Sequence, residues 1–154
     1  LRGVARFGAG ETAAALTYEV HADAAWMTRR GSVNGRAAAR AVELEVEREP
    51  AGAWRVNGTV APALAGLIDL DLGFTPATNV FPLRRLGLRP GEAADAEAAW
   101  LDDERWMLAR LAQRYERRDA THYWYESPSA GYRGLLAVRE DGFVREYPGL
   151  WVAA

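Results

Sequence analysis

At 154 residues, 49% of them hydrophobic and 26% charged, the chain has the composition of one globular domain and not of a disordered or fibrous protein. Its 21 acidic residues against 19 basic ones leave a net charge of −2, which provides no general attraction for nucleic acid or for an anionic lipid surface. Cysteine is absent and His21 and His122 are the only imidazoles, so disulfides, thiolate nucleophiles and cysteine-based zinc sites are excluded, and neither a metal nor a cofactor is expected.

The dominant period along the chain is two. Near the start, Gly8-x-Gly10 lacks the third glycine and following helix of a dinucleotide fingerprint. Leu16, Tyr18 and Val20 then alternate with Thr17, Glu19 and His21, and Val42, Leu44 and Val46 alternate with Glu43, Glu45 and Glu47, which predicts strands that are apolar on one face and polar on the other. Ile68, Leu70 and Leu72 alternate with Asp69 and Asp71 in the same way. Asn79 to Leu86 reads as a short helix with Asn79 as its cap, Pro82 restricting where the first turn lies. Glu92 to Leu101 prefers helix by propensity, and Arg105 to Arg117 fits a helical stripe as well as a strand. Thr121 to Ser127, Tyr132 to Arg139 and Phe143 to Tyr147 are rich in aromatic or branched residues and read as strands, with Asp141-Gly142 as a hairpin turn. No run is long and apolar enough for a membrane span. Leu1 onward lacks the charged start and apolar stretch of a secretory signal, so a cytoplasmic location is expected for a chain that opens here without Met.

The most unusual stretch is Ile68 to Leu88, IDLDLGFTPATNVFPLRRLGL. An acidic strand, a Thr-Pro-x-Thr-Asn turn and a Pro-x-Arg-Arg-Leu element follow one another, and the stretch resembles the signature of the putative glycolipid-binding family, with Phe81 and Leu83 as mild departures. Asp23 to Trp26 with Thr28-Arg29, Trp54 to Gly58, Pro90 to Glu92, Gln113 to Arg117, Tyr123 to Ser127 and Gly142 to Trp151 fall in the expected order, so the resemblance covers nearly the whole of residues 1–154 as one domain. It implies a mostly β fold of antiparallel strands forming a barrel or open half barrel, with at most short helices, of the kind compared with carriers of bacterial lipoproteins. It also implies strands, against local propensity, at Glu92 to Leu101 and Arg105 to Arg117.

Two constellations carry chemistry. Asp69 and Asp71 share one strand face, and the adjacent guanidiniums of Arg84 and Arg85 suit bidentate pairing with a carboxylate; Thr75, Thr78 and Asn79 satisfy turn backbone groups. This polar knot either fastens the turn to the sheet or binds a polar head group. Tyr115, Tyr123, Tyr125 and Tyr147, with Trp26, Trp100 and Trp124, form either core or the wall of a ligand cavity. The first functional reading is noncatalytic binding of a lipid or glycolipid as carrier or sensor. Its expected cavity has Tyr115, Tyr125 and Tyr147 in the wall and Thr78, Asn79 and Arg85 at the mouth. The second is an enzyme acting on a glycoconjugate or small molecule through Asp69, Asp71, Arg84 and Glu126, which requires a cleft carboxylate of raised pKa opposite another. The third is a domain with a filled core and a protein partner. No residue is assigned a catalytic or metal-binding role.

Overall fold

The computed structural model describes residues 1–152. Its first sheet comprises β1 (Arg2–Phe7), β2 (Ala14–Ala22), β3 (Thr28–Ala37), β4 (Arg40–Arg48), β5 (Trp54–Val56) and β6 (Thr59–Val60), joined in chain order as an antiparallel meander. The alternating segments face as their period requires: Leu16, Tyr18 and Val20 and then Val42, Leu44 and Val46 are buried, while Glu43, Glu45 and Glu47 point to solvent. Asn57 and Gly58, at φ 47° and 78°, make the tight turn between β5 and β6.

The second sheet is built from β7 (Asp69–Leu72), β8 (Ala93–Asp102), β9 (Met107–Arg117), β10 (His122–Ser127), β11 (Tyr132–Val138), β12 (Val144–Tyr147) and β13 (Trp151–Val152), and it runs in reverse order from β13 to β7. One of the two sheets curls as a half barrel, so the mostly antiparallel half-barrel class holds. The departure is at its end, where β7 and β8 pair in parallel. Between them the chain climbs through a 3₁₀ turn at Pro76–Asn79 and the short helix α1 (Val80–Leu86), a crossover that brings it back to the same end of the sheet. Glu92 to Leu101 and Arg105 to Arg117 are strands, as the family resemblance implies and local propensity does not. Ala93 to Asp102 pairs along its whole length with β9, and the ladder outweighs alanine's preference for helix.

The helix starts differently from the expectation. Thr75 is the capping residue of the preceding 3₁₀ turn, its hydroxyl accepting from the Ala77 amide at 3.3 Å, whereas Asn79 is helical in φ and ψ and its side chain caps nothing. Gly87 ends the helix in the left-handed region at φ 55°.

Two apolar clusters hold the molecule together. In the first, Leu16, Val20, Val33 and Trp54 of the meander meet Leu70, Leu72, Ala99 and Leu101, with Val80 and Phe81 of α1 alongside. In the second, Leu83 of α1 packs with Tyr115, Tyr123, Tyr125 and Leu136 on the other face of the second sheet. The end of that sheet is therefore covered on both sides. The IDLDL alternation marks a strand with two interior faces, one apolar and one polar, and Gly31 on β3 is what lets Leu70 come close: a Cβ there would lie 2.4 Å from Leu70 Cδ2. Among the described residues no helix is long and apolar enough to cross a membrane.

Candidate functional site

Parallel pairing places Asp69 opposite Ala98 and Asp71 opposite Trp100, and the antiparallel ladder carries the same face across to Leu111, Gln113 and Tyr115 and then to Tyr125. Both aspartates therefore join the tyrosine-rich face of the second sheet. Asp69, 1% exposed, takes the guanidinium of Arg85 in a two-pronged pair, with Arg85 Nε 3.3 Å from Oδ1 and Nη2 on Oδ2. Burial nevertheless pushes the Asp69 carboxyl above its ordinary value, and Arg85 only partly counters it.

Asp71 has no such partner. It accepts from Gln113 Nε2 at 2.5 Å, and the Thr78 hydroxyl assists. Asp71 keeps partial accessibility because it opens onto a cavity, yet protein surrounds the carboxylate closely enough that burial, with smaller contributions from the negative charges of Asp69 and Asp103, pushes its pKa up to about 6. The polar chain continues inward. Gln113 Nε2 also donates to the Tyr125 hydroxyl at 3.0 Å, Tyr115 donates loosely to Gln113 Oε1 at 3.5 Å, and Asn79 Nδ2 donates to the Tyr115 hydroxyl at 2.8 Å. The tyrosine rings pack in sequence, with centroids 4.9 Å apart for Tyr115 and Tyr125, 5.7 Å for Tyr125 and Tyr147, and 4.8 Å for Tyr132 and Tyr147. Burial raises the pKa of the Tyr115, Tyr125 and Tyr147 phenols, which stay protonated donors.

The cavity measures about 460 Å³, within the range of small-molecule sites. Phe7, Phe74, Trp100, Tyr125, Tyr132, Tyr147 and Trp151 supply aromatic surface, and Asp71, Asn79, Asp103 and Ser127 supply polar atoms. Gly73 keeps one side open. A Cβ there would stand 2.7 Å from both the Leu101 carbonyl and Trp100 Nε1. Asp103 reaches the cavity from the β8–β9 turn, which Asp102 fastens by accepting from the backbone amides of Glu104 at 2.9 Å and Arg105 at 3.2 Å.

Of the residues singled out from the sequence, Asp71, Thr75, Asn79, Trp100, Tyr125 and Tyr147 line this cavity. Tyr115 lies behind the wall, fully buried, and not in it. Thr78 is 1% exposed, and its hydroxyl accepts from the Leu72 amide at 3.2 Å, so it closes the turn and does not form a rim. Arg85 is committed to Asp69. Arg84 lies over Trp26 at 5.7 Å and donates to the Glu140 carbonyl at 3.4 Å, remote from both aspartates. Glu126 holds the Trp124 indole at 2.8 Å, one residue out of phase with Tyr125 and Ser127, and so faces away from the cavity.

Sequence reading missed Gln113 and Asp103. Gln113 has a legible signal, a polar residue in phase with buried Leu111 and Tyr115; Asp103, in a turn, has none. His21 and His122 are surface partners of Glu19 and Asp119, and among the described residues no group of three or more His, Asp or Glu side chains is placed to hold a metal. A second concavity of about 440 Å³ lies on the first sheet around Glu19, His21, Arg30 and Glu47. It is a solvated face, with Glu19 already paired to Arg2 and His21.

No curated protein matches the chain. Its fold is similar to that of a DUF1089 family protein from Pseudomonas aeruginosa, with a TM-score of 0.84 and 28% sequence identity over 99% of this chain and 92% of that one. With the family model described as "Putative glycolipid-binding" matching residues 1–153, and the Thr-Pro-x-Thr-Asn turn set against the tyrosine face, the chain belongs to that family.

Proposed function

We propose that the protein binds a small lipid or glycolipid noncatalytically, with the apolar part held among the aromatic side chains of the cavity and the head group near Asp71 and Asn79. The observation that carries this reading is the cavity itself: about 460 Å³ of space bordered by seven aromatic residues and ending on a hydrogen-bonded polar chain. Each methylene moved from water into such a wall contributes about 0.8 kcal/mol, so a chain of medium length supports micromolar binding after the costs of association. Trp100 and Trp151 line the cavity and report on its occupancy. Titration with alkyl glucosides of increasing chain length, followed by tryptophan fluorescence, is expected to give saturable binding that tightens with each methylene and weakens in Tyr147→Ala. Absence of saturation across the series, below the concentrations at which the probes form micelles, refutes it.

One observation favours an enzymatic alternative. Asp71 and Asp103 line the same cavity, and burial raises the Asp71 carboxyl to about 6, as the general acid of a carboxyl pair for glycoside hydrolysis requires, with Asp103 as the second carboxylate. Turnover of aryl glycosides that is abolished in both Asp71→Asn and Asp103→Asn would establish that reading in place of the first.

A further inference from the structure

We infer that the head group this cavity takes carries a protonated amine, an inference that rests on the binding reading above and specifies its ligand class. Two aspartates share one strand face. Asp69 has its counter-cation within the protein, Arg85, while Asp71, two residues on, has only the amide of Gln113 and the hydroxyl of Thr78. Asp71 opens onto the cavity, and Asp103 adds a second carboxylate to the same lining. None of the described residues lining the cavity is Arg or His. The guanidiniums carried by the neighbouring turn are spent elsewhere, Arg85 on Asp69 and Arg84 over Trp26.

An incoming head group therefore meets acceptors that lack a positive charge. Its effect depends on its own charge. A phosphate, sulfate or carboxylate would add a like charge within aromatic walls, where water screens weakly. A neutral sugar would donate hydrogen bonds and leave the carboxylates uncompensated. An ammonium supplies both the donors and the missing charge, and the faces of Tyr125, Tyr132 and Tyr147 attract cations through their ring quadrupoles. Burial raises the pKa of Asp71 and no neighbouring guanidinium offsets it, in accord with the same geometry.

Three probes of one ring and one chain isolate the charge: octyl β-glucosaminide, octyl β-glucoside and octyl β-glucuronide, titrated against the intact protein at neutral pH. The glucosaminide is expected to bind at least about tenfold more tightly than the glucoside and the glucuronide most weakly, as a charge pair formed in a partly desolvated site requires. Asp71→Asn and Asp103→Asn, each checked for folding by circular dichroism, are expected to reduce the preference for glucosaminide over glucoside. Two variants are used so that a failure of either to fold leaves the other to decide. Equal binding of glucosaminide and glucoside, tighter binding of the glucuronide, or a preference that survives whichever variants fold overturns the amine inference and leaves lipid binding standing. If none of the three probes binds, both fall together.

Discussion

Asp69 and Asp71 occupy one face of one strand and differ in how their charge is met. Removing Arg85 leaves Asp69 buried without its cation, so Arg85→Ala is expected to lower the free energy of unfolding by about 3 to 5 kcal/mol in urea titration. Arg84→Ala, which removes a stacking contact with a half-exposed tryptophan, is expected to cost no more than about 1 kcal/mol. Asp71 behaves in the opposite sense. Its pKa rises from 3.8 to about 6 on folding, so the protonated form is favoured in the native state; that stability is fully present below pH 3.8 and is lost as pH rises through 6. Asp71→Asn, which keeps a neutral side chain of the same shape, is therefore expected to be more stable than the parent at pH 7, by on the order of 2 kcal/mol. The advantage should shrink between pH 6 and pH 4, which stability curves at several pH values will show.

At the level of elements, the parallel β7–β8 pair and its crossover organise the site. The crossover delivers Thr75, Asn79 and Arg85 onto the face that bears the aspartates, and the strand pair brings Trp100 alongside Asp71. The chain leaves β7 through Gly73, where close approach and not backbone freedom demands glycine: the Leu101 carbonyl accepts from its amide at 3.1 Å, and a Cβ would collide with that carbonyl and with the Trp100 indole. Gly73→Ala must displace backbone. It is expected to cost about 1 to 3 kcal/mol in stability and, by shifting Trp100, to weaken octyl glucoside binding in the same fluorescence titration. The aspartates in the IDLDL run were legible as sharing a face, and the pairing of one of them with the Arg-Arg segment follows from charge. Which arginine pairs was not, because one residue along a short helix turns a side chain by roughly 100° and only the packing of Leu83 and Phe81 sets the phase.

At the level of the molecule, the meander covers one face of the β7–β8 end and leaves the other for α1, the polar chain and the cavity. A ligand held there binds the folded state alone, since its wall combines Phe7 of the first sheet, the turn after β7 and residues from each of the strands β7 to β13 of the second. Octyl glucosaminide at a hundredfold excess over its dissociation constant is expected to raise the free energy of unfolding by about 2.7 kcal/mol and to raise Tm with concentration. Thermal melts at graded ligand concentration measure this, and Tyr147→Ala should shift the dependence to higher concentration.

The sequence by itself determined the β-rich class, the positions of the alternating strands, the Asp141-Gly142 turn and the character of the polar knot, because a period of two and the chemistry of turn residues are local properties. It did not determine that β8 is a strand, a conclusion reached through the family resemblance, since ten alanine-rich and acidic residues favour helix until β9 offers a full ladder. Nor did it determine that β7 is interior on both faces. Alternation reports that successive side chains meet different surroundings, not what those surroundings are, and water on the Asp face would have produced the same pattern. The tertiary structure decided this by register, which sets Asp71 against Gln113, 42 residues away, and brings Asp103 and Trp100 to one cavity with Tyr125 and Tyr147. Such partners are chosen by sheet pairing over long separations, and no local window of residues contains them.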